Sequence, residues 1–183
     1  MKQILLLLLM FVMPAVGQAA EPSFVFNDLL KRRCIAPLEA ETQITGKGLD
    51  VLPEAVAKQM AKKTTGRAWV SPDAHVALVE LKSKGFSGCL VDFRYRAAKS
   101  NTISEPTVID KFNQWADHQI AEGQYVNRLS CGDPNVKFFR MIESRFDRSK
   151  PIRVLLSYGR DVPYIFAMAV ETTDDAEVQS CQQ

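Results

Sequence analysis

The first twenty residues constrain this chain most strongly, because they read as an export leader that takes no part in the folded domain. Lys2 supplies a basic start, an apolar run without charges extends from Ile4 to Val16, and small residues follow. A membrane-spanning helix needs about 20 apolar residues, whereas this run is shorter and contains a proline. The segment predicts a signal peptide over residues 1–19, cleaved after Ala19 or Ala20, and a periplasmic or secreted protein.

The chain that remains after cleavage is long enough for one domain with its own core. Removal of residues 1–19 from the 183 leaves 164 residues, a length that suits a single domain. No linker-like stretch divides them, so we expect one α+β domain over residues 20–173. Residues 174–183 form a polar tail with too little apolar surface to fold alone.

The charge balance argues against nucleic-acid binding. The whole chain has 23 Lys and Arg against 21 Asp and Glu, and cleavage of the leader removes one lysine. Phosphate-driven binding needs a strongly basic surface. The two local basic runs, residues 31–33 and residues 62–63 with Arg67, are typical of solvated helix faces. We expect a protein partner, no nucleic acid, and no membrane span after cleavage.

Four cysteines remain in the exported chain, and an even number in an oxidising compartment predicts two disulfides. They are Cys34, Cys89, Cys131 and Cys181. Three pairings exist. We favour Cys34 with Cys89, which joins an early helix to a central strand, and Cys131 with Cys181, which ties down the tail. The alternative is a reactive thiol at Cys131, but no histidine lies close in sequence and no Cys-x-x-Cys is present.

Apolar spacing predicts two N-terminal helices and one central helix. The first buries Cys34 and ends at residues 35–37, and the second runs from about Pro53 to Gly66. The central helix lies between Ser104 and Gly123. Its apolar stripe consists of Val108, Phe112, Trp115, Ala116 and Ile120. Such a stripe is typical of a helix packed on a sheet, and a ligand cavity is the alternative.

Short β-prone runs fill most of the remaining sequence. Three follow Gly66, at residues 67–70, 75–81 and 86–95, and the period of two turns Cys89 toward the core in the third. The run at 125–129 is strand-like. The run at 136–146 fits a helix start as well as a strand, and both interpretations stay open.

The last two runs predict a hairpin. One strand spans residues 152–158, and on the returning strand Tyr164, Phe166, Met168 and Val170 share one face. Together the elements predict an α+β fold. An antiparallel sheet carries the two N-terminal helices and the central helix, and two disulfides hold it.

No set of residues carries a recognisable catalytic or metal-binding motif. His75 and His118 are the only histidines, and neither stands in His-Glu-x-x-His or in a zinc-type cysteine spacing, so we expect no metal and no cofactor. Ser87 does not stand in a Gly-x-Ser-x-Gly elbow. A Ser-His-Asp set around His118, or a carboxylate pair assembled by folding, is the catalytic alternative.

Three short motifs stand out in the N-terminal half. Cys34 lies at a helix end, residues 66–69 read Gly-Arg-Ala-Trp, and residues 88–91 read Gly-Cys-Leu-Val. Over roughly residues 24–95 the chain resembles a family of small exported bacterial proteins with no assigned activity. The resemblance implies periplasmic residence and suggests the bridge between Cys34 and Cys89. We interpret Trp69 as a core anchor, with a binding-surface aromatic as the alternative.

Export, size and the lack of a catalytic motif favour a periplasmic protein-binding module, of the inhibitor or toxin-immunity type. Such a protein needs only a stable surface, which disulfides preorganise. The alternatives are a small periplasmic hydrolase and an envelope accessory protein. An exposed apolar patch favours a protein partner, whereas a pocket with converging histidine, serine and acids favours the enzyme.

Overall fold

The computed structural model describes residues 21–61, 66–73, 75–93, 105–133, 136–146, 150–159 and 165–171. At residues 105, 130–133, 136, 137 and 159 only the backbone is described. The predicted signal peptide and the predicted tail lie outside the described residues. The cleavage site and the domain limits therefore stay predictions.

The helices lie where the apolar spacing predicts them, with one difference in length. Their bounds are Pro22–Asp28 (α1), a π-helical segment Leu29–Ile35, Ala36–Glu39 (α2), Glu54–Ala61 (α3) and Glu105–Ala121 (α4). The predicted end of the first helix at residues 35–37 was wrong, because the helical run continues to Glu39. Pro37 lies in the first turn of α2, where a missing backbone N–H is tolerated.

The strands form one antiparallel sheet. Their bounds are Asp50–Val51 (β1), Ala68–Val70 (β2), Ala77–Ser83 (β3), Phe86–Asp92 (β4), Tyr125–Asp133 (β5), Val136–Ser144 (β6), Ile152–Gly159 (β7) and Ile165–Glu171 (β8). The undecided run at 136–146 is a strand, since β6 pairs with both β5 and β7. The turn between β3 and β4 contains Gly85 at φ 81°, which glycine adopts readily.

The sheet order places the two halves of the chain side by side. The order is β1-β2-β3-β4-β8-β7-β6-β5. In each half a helix comes first and the four strands then approach the centre, where β4 and β8 pair with Cys89 opposite Ala169 and Leu90 opposite Met168. Helices α1 and α4 contact one another, so the helices that open the two halves lie together on one face of the sheet.

The main core lies on this helix-covered side, which we call the inner face. Cys34 of the π-helical segment and Cys89 of β4 are fully buried and form a disulfide with a Cα–Cα distance of 5.6 Å. The predicted stripe of α4 is confirmed, since Val108, Phe112 and Ala116 are fully buried in this core. Arg140 of β6 then holds the polar flank of α4 through hydrogen bonds to Asn113 (2.8 Å) and Asp117 (2.6 Å).

The opposite side of the sheet, the outer face, has a smaller core. Helix α3 contacts β2 and β3 there, and its Ala57 and Ala61 are buried among Val79 and Leu90. The hairpin of β7 and β8 is confirmed. Its returning strand turns Ile165, Ala167 and Ala169 toward the main core, whereas the larger Phe166 and Met168 pack against the smaller one.

The Gly-Arg-Ala-Trp motif at the start of β2 packs this strand against β3 and the core. A Cβ atom at Gly66 would lie 1.7 Å from the Glu80 carbonyl oxygen, so glycine is required there. The Arg67 guanidinium lies 5.2 Å from the Trp69 ring centroid and 3.3 Å from the Glu80 carboxylate. Trp69 is only 5% exposed, which confirms its interpretation as a core anchor.

The fold is therefore α+β, with helices on both sides of an eight-stranded antiparallel sheet and the disulfide Cys34–Cys89. The predicted bond between Cys131 and Cys181 falls on a side chain and a residue outside the described set, and it stays a prediction.

Candidate functional site

The cysteines, which were the predicted site residues, do not form a reactive centre in the part of the chain that is described. Cys34 and Cys89 are bonded to each other and are fully buried, so neither presents a thiol to a ligand. The backbone of residue 131 lies in β5. The side chain of Cys131 lies outside the described set, and the reactive thiol stays a prediction.

The histidines lie on different elements and do not meet Ser87. His75 precedes β3 with φ 53° and is half-buried, and His118 is exposed near the end of α4. Ser87 lies in β4. The cleft that contains Ser87 has no histidine among its lining residues. Ser87 therefore meets no histidine in this cleft, and the Ser-His-Asp alternative around His118 stays a prediction.

A basic and aromatic surface lies where α1 and its π-helical continuation meet α4. We define this basic patch by Phe24, Lys31, Lys111 and Trp115. The Lys31 ammonium lies 5.9 Å from the Trp115 ring centroid, and the Lys111 ammonium lies 5.7 Å from the Phe24 ring centroid. Each lysine therefore lies against an aromatic ring contributed by the other helical element, at a separation where the cation and the ring attract.

Phe24 makes the basic patch accessible from solvent. Its ring is 59% exposed, and the only other large apolar side chain with comparable exposure among the described residues is Val51. Trp115 is half-buried and connects the surface to the core, because its ring packs 5.7 Å from Phe112 and 5.8 Å from Tyr125. These ring contacts fix the position of Trp115 at the base of the basic patch.

The electrostatics of the basic patch are governed by the two lysines. The Lys31 ammonium donates a hydrogen bond to the Lys111 carbonyl oxygen at 3.5 Å. Partial burial, and then the positive charge of Lys111, lower the pKa of Lys31 below its usual value. The carboxylate of the neighbouring Asp28 forms an ion pair with Arg32, with 3.1 Å between Oδ1 and Nε. Neither lysine forms an ion pair in the described ranges.

This site is not evident from the local sequence, because Lys31 stands in a run with Arg32 and Arg33 that is typical of a solvated helix face. Arg32 does fit that description, with a side chain that is 81% exposed. Lys31 is half-buried instead. The available signal was the spacing of Phe24 and Lys31 by seven residues and of Lys111 and Trp115 by four, which places each pair on one helix face, but it does not predict that the faces meet.

A polar cleft of about 370 Å³ lies at the opposite end of the first helical run. It is lined by Pro37, Leu38, Glu41, Thr42, Ser87, Lys150 and Glu171. Two hydroxyls, an ammonium and two carboxylates therefore line one space. They are contributed by the loop after α2, by the residues just before β7 and by the ends of β4 and β8. Such a set can bind a small polar molecule, and it is the second candidate site.

A buried carboxylate on the outer face, that of Glu143, links neighbouring strands through ion pairs. Glu143 of β6 lies between Arg153 of β7, at 2.7 Å, and Arg128 of β5, whose Nε is 3.0 Å away. Burial raises the pKa of Glu143, but the hydrogen bonds from Arg153 and Arg128 outweigh burial, so the pKa lies below its usual value. These ion pairs tie three neighbouring strands together.

The described residues include no group of three or more His, Cys, Asp or Glu side chains placed to hold a metal ion. Among the described helices, none has the length and apolar character needed to span a membrane. No protein-family model, no curated protein and no solved structure matches the chain. The functional assignment therefore depends on the geometry of the basic patch and of the cleft.

Proposed function

We propose that this chain is an exported periplasmic protein that binds another protein, as an inhibitor or toxin-immunity factor does. The signal-peptide pattern of residues 1–19 supports export. A buried disulfide supports an oxidising compartment. The resemblance of residues 24–95 to small exported bacterial proteins points to the same compartment.

The observation that carries the protein-binding proposal is the exposed ring of Phe24 within the basic patch. An exposed aromatic ring flanked by cations is typical of protein interfaces, which are enriched in aromatic residues. The disulfide at Cys34 anchors the same helical run to the central strand β4. A surface held in this way loses little conformational entropy when a partner binds.

The test is affinity capture from a periplasmic extract with the mature protein as bait, followed by mass spectrometry. We expect one stoichiometric partner, and a Phe24→Ser bait should recover much less of it. The bait Val51→Ser, which changes the other exposed large apolar residue, serves as the control and should recover the partner normally. Recovery of no stoichiometric partner by the unmodified bait contradicts the proposal.

A periplasmic hydrolase is the second candidate function, because the cleft brings Ser87 and Lys150 to one space. A lysine amine can act as the base for a serine nucleophile, as in the Ser-Lys variants of the catalytic triad. Turnover in a panel of ester and amide substrates would support this function. Ser87→Ala and Lys150→Met should each abolish that turnover, and Phe24→Ser should leave it unchanged.

A further inference from the structure

Two lysines lie near one another in the basic patch, and neither has a carboxylate partner among the described residues. The helix packing brings Lys31 onto the backbone of Lys111, with 3.5 Å between the Lys31 ammonium and the Lys111 carbonyl oxygen. In the described part of the chain both lysines lack a carboxylate partner, while Asp28 nearby is held by Arg32. Two adjacent and partly desolvated cations cost free energy, which a bound anion recovers.

From this charge arrangement we infer that the basic patch is a binding site for an acidic segment of a protein partner. The inference rests on the protein-binding function proposed above and names the chemistry of the partner. A carboxylate between the two ammonium groups accepts charge-assisted hydrogen bonds from both. It also relieves the repulsion that the fold imposes on them.

The aromatic half of the basic patch selects a protein segment over a free anion. Phe24 is exposed beside Lys111, and the ring of Trp115 lies beneath Lys31. An inorganic anion gains nothing from an exposed phenyl ring. A segment in which an acidic side chain stands next to an apolar one covers the ring and neutralises the lysines at the same time.

The first experiment follows binding of a defined probe by NMR. The probe is a capped eight-residue peptide of alternating Glu and Leu, added to the ¹⁵N-labelled mature protein at low salt, and the control peptide has Lys in place of Glu. We expect saturable shifts of the Trp115 indole N–H and of the Lys31 and Lys111 amides with the acidic peptide only. The Trp69 indole N–H is the internal control, because Trp69 is buried beside Arg67, and it should not move.

The second experiment uses two double variants with the same change in net charge. Lys31→Gln with Lys111→Gln removes the charge pair, whereas Lys47→Gln with Lys84→Gln removes two exposed lysines that lie in turns. We expect the first to weaken peptide binding at least tenfold and the second less than twofold. Both should keep the ¹H–¹⁵N spectrum of the folded protein, because Lys31 and Lys111 are only half-buried. Binding by the unmodified protein should weaken as salt screens the charges.

Three results would overturn the inference. The first is equal affinity of the two double variants for the acidic peptide, and the second is the lack of saturable shifts up to millimolar peptide. The third is binding to phosphatidylglycerol vesicles that needs Lys31 and Lys111 while the peptide does not bind, since this assigns the patch to a membrane surface.

The same variants separate this inference from the proposed function. Both double variants are also used as baits. Both proposals are supported if the Lys31→Gln, Lys111→Gln double variant loses the captured partner while the Lys47→Gln, Lys84→Gln double variant keeps it. Retention of the partner by all baits leaves the protein-binding function standing and contradicts the acidic-segment inference. If no bait captures a partner, the proposed function fails, and the peptide titration still decides the chemistry of the patch.

Discussion

At the scale of single residues, Glu143 shows how ion pairs stabilise a buried carboxylate in a sheet. Its side chain is 7% exposed, and a buried carboxylate without partners would favour its neutral form. Arg153 and Arg128 approach it from the two neighbouring strands. Their hydrogen bonds keep it ionised, so the ion pairs stabilise the pairing of β5, β6 and β7.

Glu143→Gln should lower the free energy of unfolding at pH 7 by about 1–3 kcal/mol, because charge-assisted hydrogen bonds are lost. The pKa of Glu143 in the folded protein lies below the usual 4.5. Its contribution to stability is therefore present above pH 4.5 and is lost as the pH falls through the folded-state pKa. Urea unfolding at pH 7 and pH 3 measures this, with the exposed Glu54→Gln as control. A difference between variant and unmodified protein that is as large at pH 3 would contradict the explanation.

Gly66 is required for a steric reason that the sequence alone does not reveal. A methyl group at this position would meet the Glu80 carbonyl oxygen at 1.7 Å. Gly66→Ala should therefore reduce stability by at least about 2 kcal/mol, as overpacking does. The control is Gly48→Ala, where the space is open and φ is 80°, so only backbone strain of about 1–2 kcal/mol applies. Thermal or urea unfolding that ranks the two variants in the opposite order would refute this interpretation.

At the scale of elements, the first helical run owes its position to one covalent bond as well as to packing. The bond links Cys34 to Cys89 over 55 residues of sequence. Tyr125 adds a hydrogen bond from its hydroxyl to Glu39 at the end of α2, at 2.7 Å. Because Phe24 and Lys31 belong to this run, the bond also fixes half of the basic patch.

Replacement of both bonded cysteines by alanine should lower the free energy of unfolding by about 2–4 kcal/mol, since the unfolded chain gains loop entropy. The single variants Cys34→Ala and Cys89→Ala are the controls. If the bond is the cause, each single variant loses nearly as much stability as the double variant. Losses that add up in the double variant would show that side-chain packing, not the bond, is responsible.

Some elements were predictable from local sequence and others were not. The helix of residues 105–121 has a complete apolar stripe, so its period alone identifies it. The run at 136–146 stayed undecided, because its strand character comes from pairing with β5 and β7 on either side, which is a contact between distant parts of the chain. The continuation of the first helix through Pro37 was missed for a local reason, since proline reads as a stop unless it lies in a first turn.

At the scale of the whole molecule, the two halves of the chain meet at β4 and β8 and bring α1 and α4 onto one face. The basic patch exists only because of this arrangement. Lys31 and Lys111 are 80 residues apart in sequence. Neither half contains the charge pair on its own.

The proposed export predicts a protein with the mass of a chain that begins at Ala20, because a signal peptide is removed on translocation. Intact mass spectrometry of the periplasmic fraction measures this. Non-reducing peptide mapping of the same sample should recover Cys34 linked to Cys89 and Cys131 linked to Cys181. Retention of Met1 would contradict export, and a free Cys131 would contradict the second bond while leaving the first untouched.

The sequence by itself determined the class of fold, the positions of the main helical runs, most of the described strands, and the burial of Cys34 and Cys89. These follow from local periodicity and from cysteine usage, which act within one element or one compartment. Tertiary structure decided the strand at 136–146, the role of Gly66 and the meeting of Lys31 with Lys111. Each of these depends on atoms that are far apart in the chain, and only packing of the two halves brings them within contact distance.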